Sequence, residues 1–169
     1  MAGADNTYMK LYTPTIIGSL MLVLFLTGCG NYPVRETNYT FQQRPILAEE
    51  KQTIVYSAMQ LIGTPYRFGG TNNNGVDCSG LVYLAYQNAG IQVPRTSLQQ
   101  FRHSDRVHMS QLQPGDLVFF KLDRSPVSHV GIYIGDDRFI HAPRTGKFVE
   151  YASLDNSFWK ERLTGAGRF

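Results

Sequence analysis

Between residues 48 and 62, Ile54, Ala58 and Ile62 recur at four-residue steps with Val55 and Met59 beside them, the spacing of one helical face. Gly63 follows as a C-cap, so the pattern predicts an amphipathic helix over residues 48–62. A second helix is expected over residues 78–89, where Leu81, Val82, Ala85 and Ala89 share a face and Gly90 stops it. The run from Gly69 to Gly75, rich in Asn and Gly, is a turn-bearing loop, and residues 97–103 read as a short polar helical piece. From Leu117 onward the period changes to two. Strands are expected at residues 117–121, 129–134, 138–142 and 148–151, separated by Pro126, Gly135-Asp136 and Thr145-Gly146. Connections this short force neighbours to be antiparallel. Helices followed by an antiparallel meander make an α+β arrangement, with the helices packed on one face of the sheet.

The N-terminus reads as an address. Residues 16–26 carry no charge but number only eleven, whereas a membrane span needs about 20 apolar residues. A basic residue ahead of a short apolar run fits a secretory signal instead, with Lys10 as that residue. Leu26-Thr27-Gly28-Cys29 resembles the bacterial lipoprotein signal, in which the cysteine is lipidated and becomes the first mature residue. The resemblance implies removal of residues 1–28 and a membrane anchor through Cys29; Gly30, rather than Asp, after the cysteine points to the outer membrane. Met9-Lys10 is a more natural start than Met1. A tether over residues 29–46, polar and without apolar periodicity, then leads into one domain at residues 47–169. Asn38-Tyr39-Thr40 fits a glycosylation acceptor but is a coincidence in a bacterial lipoprotein.

Composition narrows the function classes. Sixteen Lys+Arg against 13 Asp+Glu give a net charge of +3, too small and too interleaved for a nucleic-acid stripe. With 43% hydrophobic residues and 12% aromatics a packed core is available. The two cysteines, Cys29 and Cys78, exclude a disulfide-stapled fold.

Cys78 opens the second helix. A helix N-terminus carries partial positive charge and unpaired N–H groups, which would lower a thiol pKa and could hold an oxyanion. With Cys29 lipidated, Cys78 has no disulfide partner, and an idle thiol in an oxidising envelope is a liability. Of the four histidines, His103 and His108 lie in a mixed-charge stretch and read as solvated surface. His129 and His141 bracket the Gly135-Asp136 turn. If Ile134 pairs with Arg138, Gly131 opposes His141 and His129 lies diagonal to it; if Tyr133 pairs with Asp137, the two histidines are directly opposite. Either even register puts both rings on one sheet face, which the helix opening at Cys78 is expected to cover. Nucleophile, general base and orienting group are then all present. A zinc site from Cys78, His129 and His141, with Asp77, uses the same residue types, although the close ligand pairs of structural zinc sites are absent.

Four blocks, Asp77-Cys78-Ser79-Gly80, Pro114-Gly115-Asp116-Leu117-Val118-Phe119-Phe120, His129-Val130-Gly131-Ile132-Tyr133-Ile134-Gly135 and Phe139-Ile140-His141-Ala142, resemble in order and spacing the signature of the NlpC family, papain-like cysteine peptidases of bacterial cell walls. The resemblance implies a papain-like domain with Cys78 as nucleophile, His129 as base and His141 as its orienting partner. Tyr66 matches the tyrosine whose hydroxyl lies beside the nucleophile, and reads equally as a half-buried aromatic. Ser79 would lend a backbone N–H, Asp77 a cap or a substrate contact, and Arg95 either lines the cleft or makes a structural ion pair. The implied reaction is hydrolysis of an amide in peptidoglycan stem peptides or cross-links, next to diaminopimelate, with no cofactor or metal, by a monomer in the envelope. A catalytically idle wall-binding lipoprotein, or an acyltransferase or amidase on the same fold, are the alternatives.

If Cys29 carries the anchor, incorporation of labelled fatty acid requires that residue; a Cys29→Ser chain that still partitions with membranes would defeat the assignment.

Overall fold

The computed structural model describes residues 46–169. The expected signal segment, the start at Met9, Cys29, Asn38 and the tether up to residue 45 lie outside the described residues. Ile46 packs against the main core. Helix α1 (Ala48–Gln60) starts where the Glu50 carboxylate accepts the Leu47 N–H at 2.9 Å, satisfying one of the unpaired donors of a first turn. It buries Ile54, Ser57 and Ala58, with Leu61 inside just beyond it. The buried stripe is therefore rotated from the expected one, and Met59 is exposed. Gly63, at φ 82°, ends the turn as expected, and its N–H reaches the Val149 carbonyl at 3.0 Å.

Within the Gly-Asn loop the chain makes a small antiparallel hairpin, β1 (Thr71–Asn72) with β2 (Gly75–Val76). Helix α2 (Cys78–Asn88) follows and stops at Gly90, φ 76°. Helix α3 (Ser97–His103) is capped by Thr96, whose hydroxyl accepts from the Gln99 N–H.

The expected meander is four strands of a six-stranded antiparallel sheet. Strands β4 (Leu117–Phe120), β5 (His129–Gly135), β6 (Arg138–His141) and β7 (Glu150–Ser153) run as neighbours in chain order. Strand β7 begins two residues later than expected, because Phe148 instead bridges Pro65. Beyond β4 lie β8 (Leu163–Arg168) and then β3 (Asp105–Val107), which the apolar pattern does not reveal. Strand β8 reads Leu-Thr-Gly-Ala-Gly-Arg, and two glycines and an alanine leave no alternation to detect. Asp116 fixes it: the Arg168 guanidinium donates to both carboxylate oxygens at 2.7 and 2.8 Å.

Between β5 and β6, Ile132 opposes Ile140 and Tyr133 opposes Phe139, which is the first of the two even registers. The register then shifts, and Gly135 pairs with Arg138 around Asp136 and Asp137, both at positive φ, as a tight two-residue hairpin turn requires. One face of the sheet, with Leu117, Phe119, Val130, Ile132 and Ile140, packs on Ile54, Ala58, Leu81, Val82 and Ala85 of α1 and α2. The other, with Val118, Phe120, Tyr133 and Phe139, is covered by Leu154 and by Trp159 of the short helix α4 (Ser157–Lys160). The α+β class stands, but helical cover extends to both faces.

Gly131 sits on β5 where the Phe139 ring of β6 leaves no room for a side chain. A Cβ there would lie 2.5 Å from Phe139 Cδ2 and 3.0 Å from the Ile140 carbonyl oxygen. Gly131→Ala is expected to destabilise the fold by about 1–3 kcal/mol, read as a lower urea midpoint at unchanged slope.

Candidate active site

The start of α2 is organised by one buried carboxylate. Asp77 caps the helix, its Oδ1 accepting the Gly80 N–H at 2.7 Å and its Oδ2 the Gly69 N–H at 2.8 Å. The Arg95 guanidinium adds a two-pronged contact, 2.9 Å to Oδ1 and 2.8 Å to Oδ2, and also donates to Ser79 Oγ at 2.9 Å. Burial works against the charged Asp77, but the hydrogen bonds from Arg95, Gly80 and Gly69 outweigh it and hold the pKa below the usual range. Gln100 holds the next residue: its side-chain amide donates to the Ser79 carbonyl at 3.1 Å and to the Pro94 carbonyl at 2.8 Å. A Cβ on Gly80 would run into the Gly70 carbonyl, so only glycine lets the loop pack this closely on α2. Asp77 is thus a cap whose acceptor sites are filled from within the protein. Arg95, likewise, makes the structural ion pair.

Across the sheet, His129 Nε2 and His141 Nδ1 share a hydrogen bond of 2.9 Å, with both rings buried. They lie on one face, as the even register requires, but on the face of Phe120 and Phe139 rather than the α1/α2 face. Trp159 closes over them, stacked on His129 at 5.5 Å and 23° and edge-on to His141 at 4.7 Å. Cys78 packs against the sheet from the α2 side, where the Val130 N–H of β5 favours its ionised sulfur. That N–H belongs to the residue after His129, so Cys78 meets the backbone of β5 one residue from the histidine whose ring projects from the other face.

The electrostatics differ from the simple helix-terminus expectation. Burial first, then the Asp77 carboxylate, push the Cys78 thiol up to about 11, against the lowering effect of the N–H groups of Val130, Ser79 and Cys78. Desolvation and a neighbouring anion exceed the partial charge of the helix end. Burial, together with His141, lowers His129 to about 3, and burial lowers His141 to about 4, so both imidazoles are neutral at neutral pH. Tyr66 is half-buried, and its phenol is raised by burial, then by the Cys78 sulfur and the Asp77 carboxylate, against Arg95. Tyr66 therefore shares the neighbourhood of the thiol.

The structure brings Cys78, Tyr66, Asp77, Ser79 and Arg95 together at the start of α2 and places His129 and His141 at the adjoining end of the sheet. His103 and His108 are exposed, as expected. Among the described residues no group of three His, Cys, Asp or Glu side chains converges as metal ligands would. Sequence reasoning missed Trp159, Gln100 and the Val130 N–H. Trp159, the one tryptophan in the chain, was the signal available, but its four-residue helix has no periodicity to place it.

A family model described as NlpC/P60 family matches residues 63–168. The chain is 44% identical over 115 residues to murein DD-endopeptidase MepH of Escherichia coli, covering 65% of this chain and 42% of that protein. It is 34% identical over 158 residues to a probable endopeptidase of Haemophilus influenzae, covering 90% of this chain and 95% of the relative. The crystal structure of an NlpC/P60 family protein from Bacillus cereus superposes with a TM-score of 0.68 at 37% identity, covering 74% of this chain and 41% of that one. The chain thus spans under half of the MepH relative and nearly all of the Haemophilus one.

The buried neutral histidines make stability pH-dependent. Their folded-state pKa values lie below the ordinary 6.5, so below that pH the unfolded chain binds more protons. Stability is fully present above about pH 6.5 and is lost as pH falls toward 4, by about 1.4 kcal/mol per pH unit for each histidine. Urea midpoints measured from pH 7 to 4 should fall, and a His129→Gln/His141→Gln double variant should flatten the curve.

Proposed function

Because the chain belongs to the NlpC/P60 family, we propose that it is a peptidoglycan endopeptidase that hydrolyses an amide next to diaminopimelate in stem peptides or cross-links by a Cys–His–His thiol mechanism. The observation that carries this reading is the buried 2.9 Å His129–His141 pair beside a helix opened by a cysteine. With Nε2 engaged by His141, Nδ1 is the ring nitrogen of His129 left to take a proton.

The resting thiol is protonated, so attack needs the base. The Cys78 proton passes to His129 Nδ1 as the sulfur adds to the amide carbonyl. The oxyanion of the tetrahedral intermediate is held by N–H groups at the start of α2, with the Tyr66 hydroxyl as a further donor. As the C–N bond breaks, the imidazolium returns its proton to the leaving amine. A water then gives its proton to His129 and adds to the thioester, and as the C–S bond breaks and the free acid forms the imidazolium returns that proton to the departing sulfur. His141 keeps the imidazole oriented through both halves, and Trp159 keeps solvent off their hydrogen bond. Asp77, Ser79 and Arg95 position the sulfur rather than touch the substrate. A lipid anchor at Cys29 would present this domain to the wall from the outer membrane, facing the periplasm.

Cys78→Ala is expected to abolish release of peptides from purified sacculi with an unchanged circular-dichroism spectrum; retained hydrolysis overturns the nucleophile. His129→Ala should lose about 10²–10⁴-fold. Mass spectrometry of the products identifies the bond.

A further inference from the structure

We propose that Glu150 is a positioning residue that fixes which ring nitrogen of His141 carries the proton, and through it which nitrogen of His129 can accept one. The proposal rests on the Cys78–His129–His141 reading and extends that chain by one side chain. Strand β7 pairs with β6 so that Glu150 stands directly opposite His141, and side chains at opposed positions project from the same face. Glu150 Oε1 lies 3.9 Å from His141 Nε2; the imidazole is 2% exposed and the carboxylate 56%. The two nitrogens of His141 are thus divided, Nδ1 toward His129 at 2.9 Å and Nε2 toward the carboxylate.

A neutral imidazole has one N–H and one lone pair, so the pair of rings has two arrangements. In the first, His129 Nε2–H donates to His141 Nδ1. His141 then carries its proton on Nε2, facing Glu150, and His129 Nδ1 presents a lone pair. In the second, His141 Nδ1–H donates to His129 Nε2. A lone pair of His141 then faces the carboxylate, and His129 Nδ1 holds a hydrogen and cannot take one from a thiol.

The Glu150 charge favours the first arrangement and opposes the second. At 3.9 Å the contact is longer than a hydrogen bond, so the selection works through charge. Among the described contacts of His141, His129 comes from β5, Glu150 from β7, Trp159 from α4 and Phe139 from its own strand. Trp159 and Phe139 carry no charge, which leaves Glu150 as the one anion in that set. The same carboxylate also favours the imidazolium formed when His129 takes the thiol proton. An acidic side chain on an exposed position of an edge strand is also ordinary solubilising chemistry, so the test must read the tautomer itself.

The experiment compares the full chain in detergent as wild type, Glu150→Gln, Glu150→Leu and Glu150→Asp, with two readouts. Imidazole ¹⁵N spectra report the His141 tautomer, expected as Nε2–H in wild type and mixed in Glu150→Gln and Glu150→Leu. Iodoacetamide alkylation of Cys78 at pH 7 should slow by about 3–10-fold in those two, equivalent to half to one pKa unit, and recover in Glu150→Asp. An unchanged tautomer and alkylation profile in Glu150→Leu overturns the proposal. If Cys78→Ala abolishes hydrolysis while Glu150 variants match wild type, Glu150 alone is dismissed. If Cys78→Ala still hydrolyses sacculi, the parent reading falls, and with it the catalytic role of the tautomer.

Discussion

The position of the Cys78 sulfur depends on a carboxylate one residue before it. Asp77 accepts from Gly69, Gly80 and both terminal nitrogens of Arg95, which joins the glycine loop, the first turn of α2 and the segment ahead of α3 at a single point. Burying a charge of this kind is costly unless every acceptor is filled, and here each oxygen has at least two donors. Removing any one strand of the network leaves a partly paired anion beside the thiol. The energetic penalty for misplacing the helix start is therefore high, and the sulfur inherits that rigidity.

The network carries an electrostatic cost, since the anion that fixes α2 also disfavours the Cys78 thiolate. Arg95 offsets this: its guanidinium lies against the same carboxylate and is itself raised by that contact. Burial adds to the remaining imbalance and leaves a resting thiol rather than a thiolate, so under the proposed mechanism the histidine pair supplies its reactivity. Trp159 serves the pair by excluding water, and the same exclusion depresses both imidazoles. Under the proposed mechanism, a base desolvated this far needs its proton placement controlled by neighbours rather than by solvent.

The α+β class, both long helices and the even β5–β6 register were legible because each rests on periodicity or a turn signal that local sequence carries. Asp77, Cys78, Ser79 and Gly80 were legible as a cap followed by a helix. The strands β3 and β8 were not, since Gly165 and Gly167 remove the alternation that marks a strand, and pairing across so much chain has no local trace. The thiol's raised pKa was hidden for a different reason: a helix end is visible in sequence, whereas desolvation and the distance to a carboxylate exist only after folding. Trp159 and Gln100 likewise act through tertiary contacts that no motif encodes.

The hidden C-terminal strand bears on the site all the same. The Tyr86 hydroxyl, on the last turn of α2, donates to the Gly115 carbonyl at 2.6 Å. The next residue, Asp116, is the buried carboxylate that holds Arg168 of β8. Helix α2 is thus tied at its start through Asp77 and near its end through a group adjacent to the β4–β8 junction. Two attachments at opposite ends of a helix restrain its axis, where one alone would allow it to pivot. The imidazoles are carried by that sheet and the sulfur by that helix, so the Arg168–Asp116 pair bears on their relative placement although it lies outside the site.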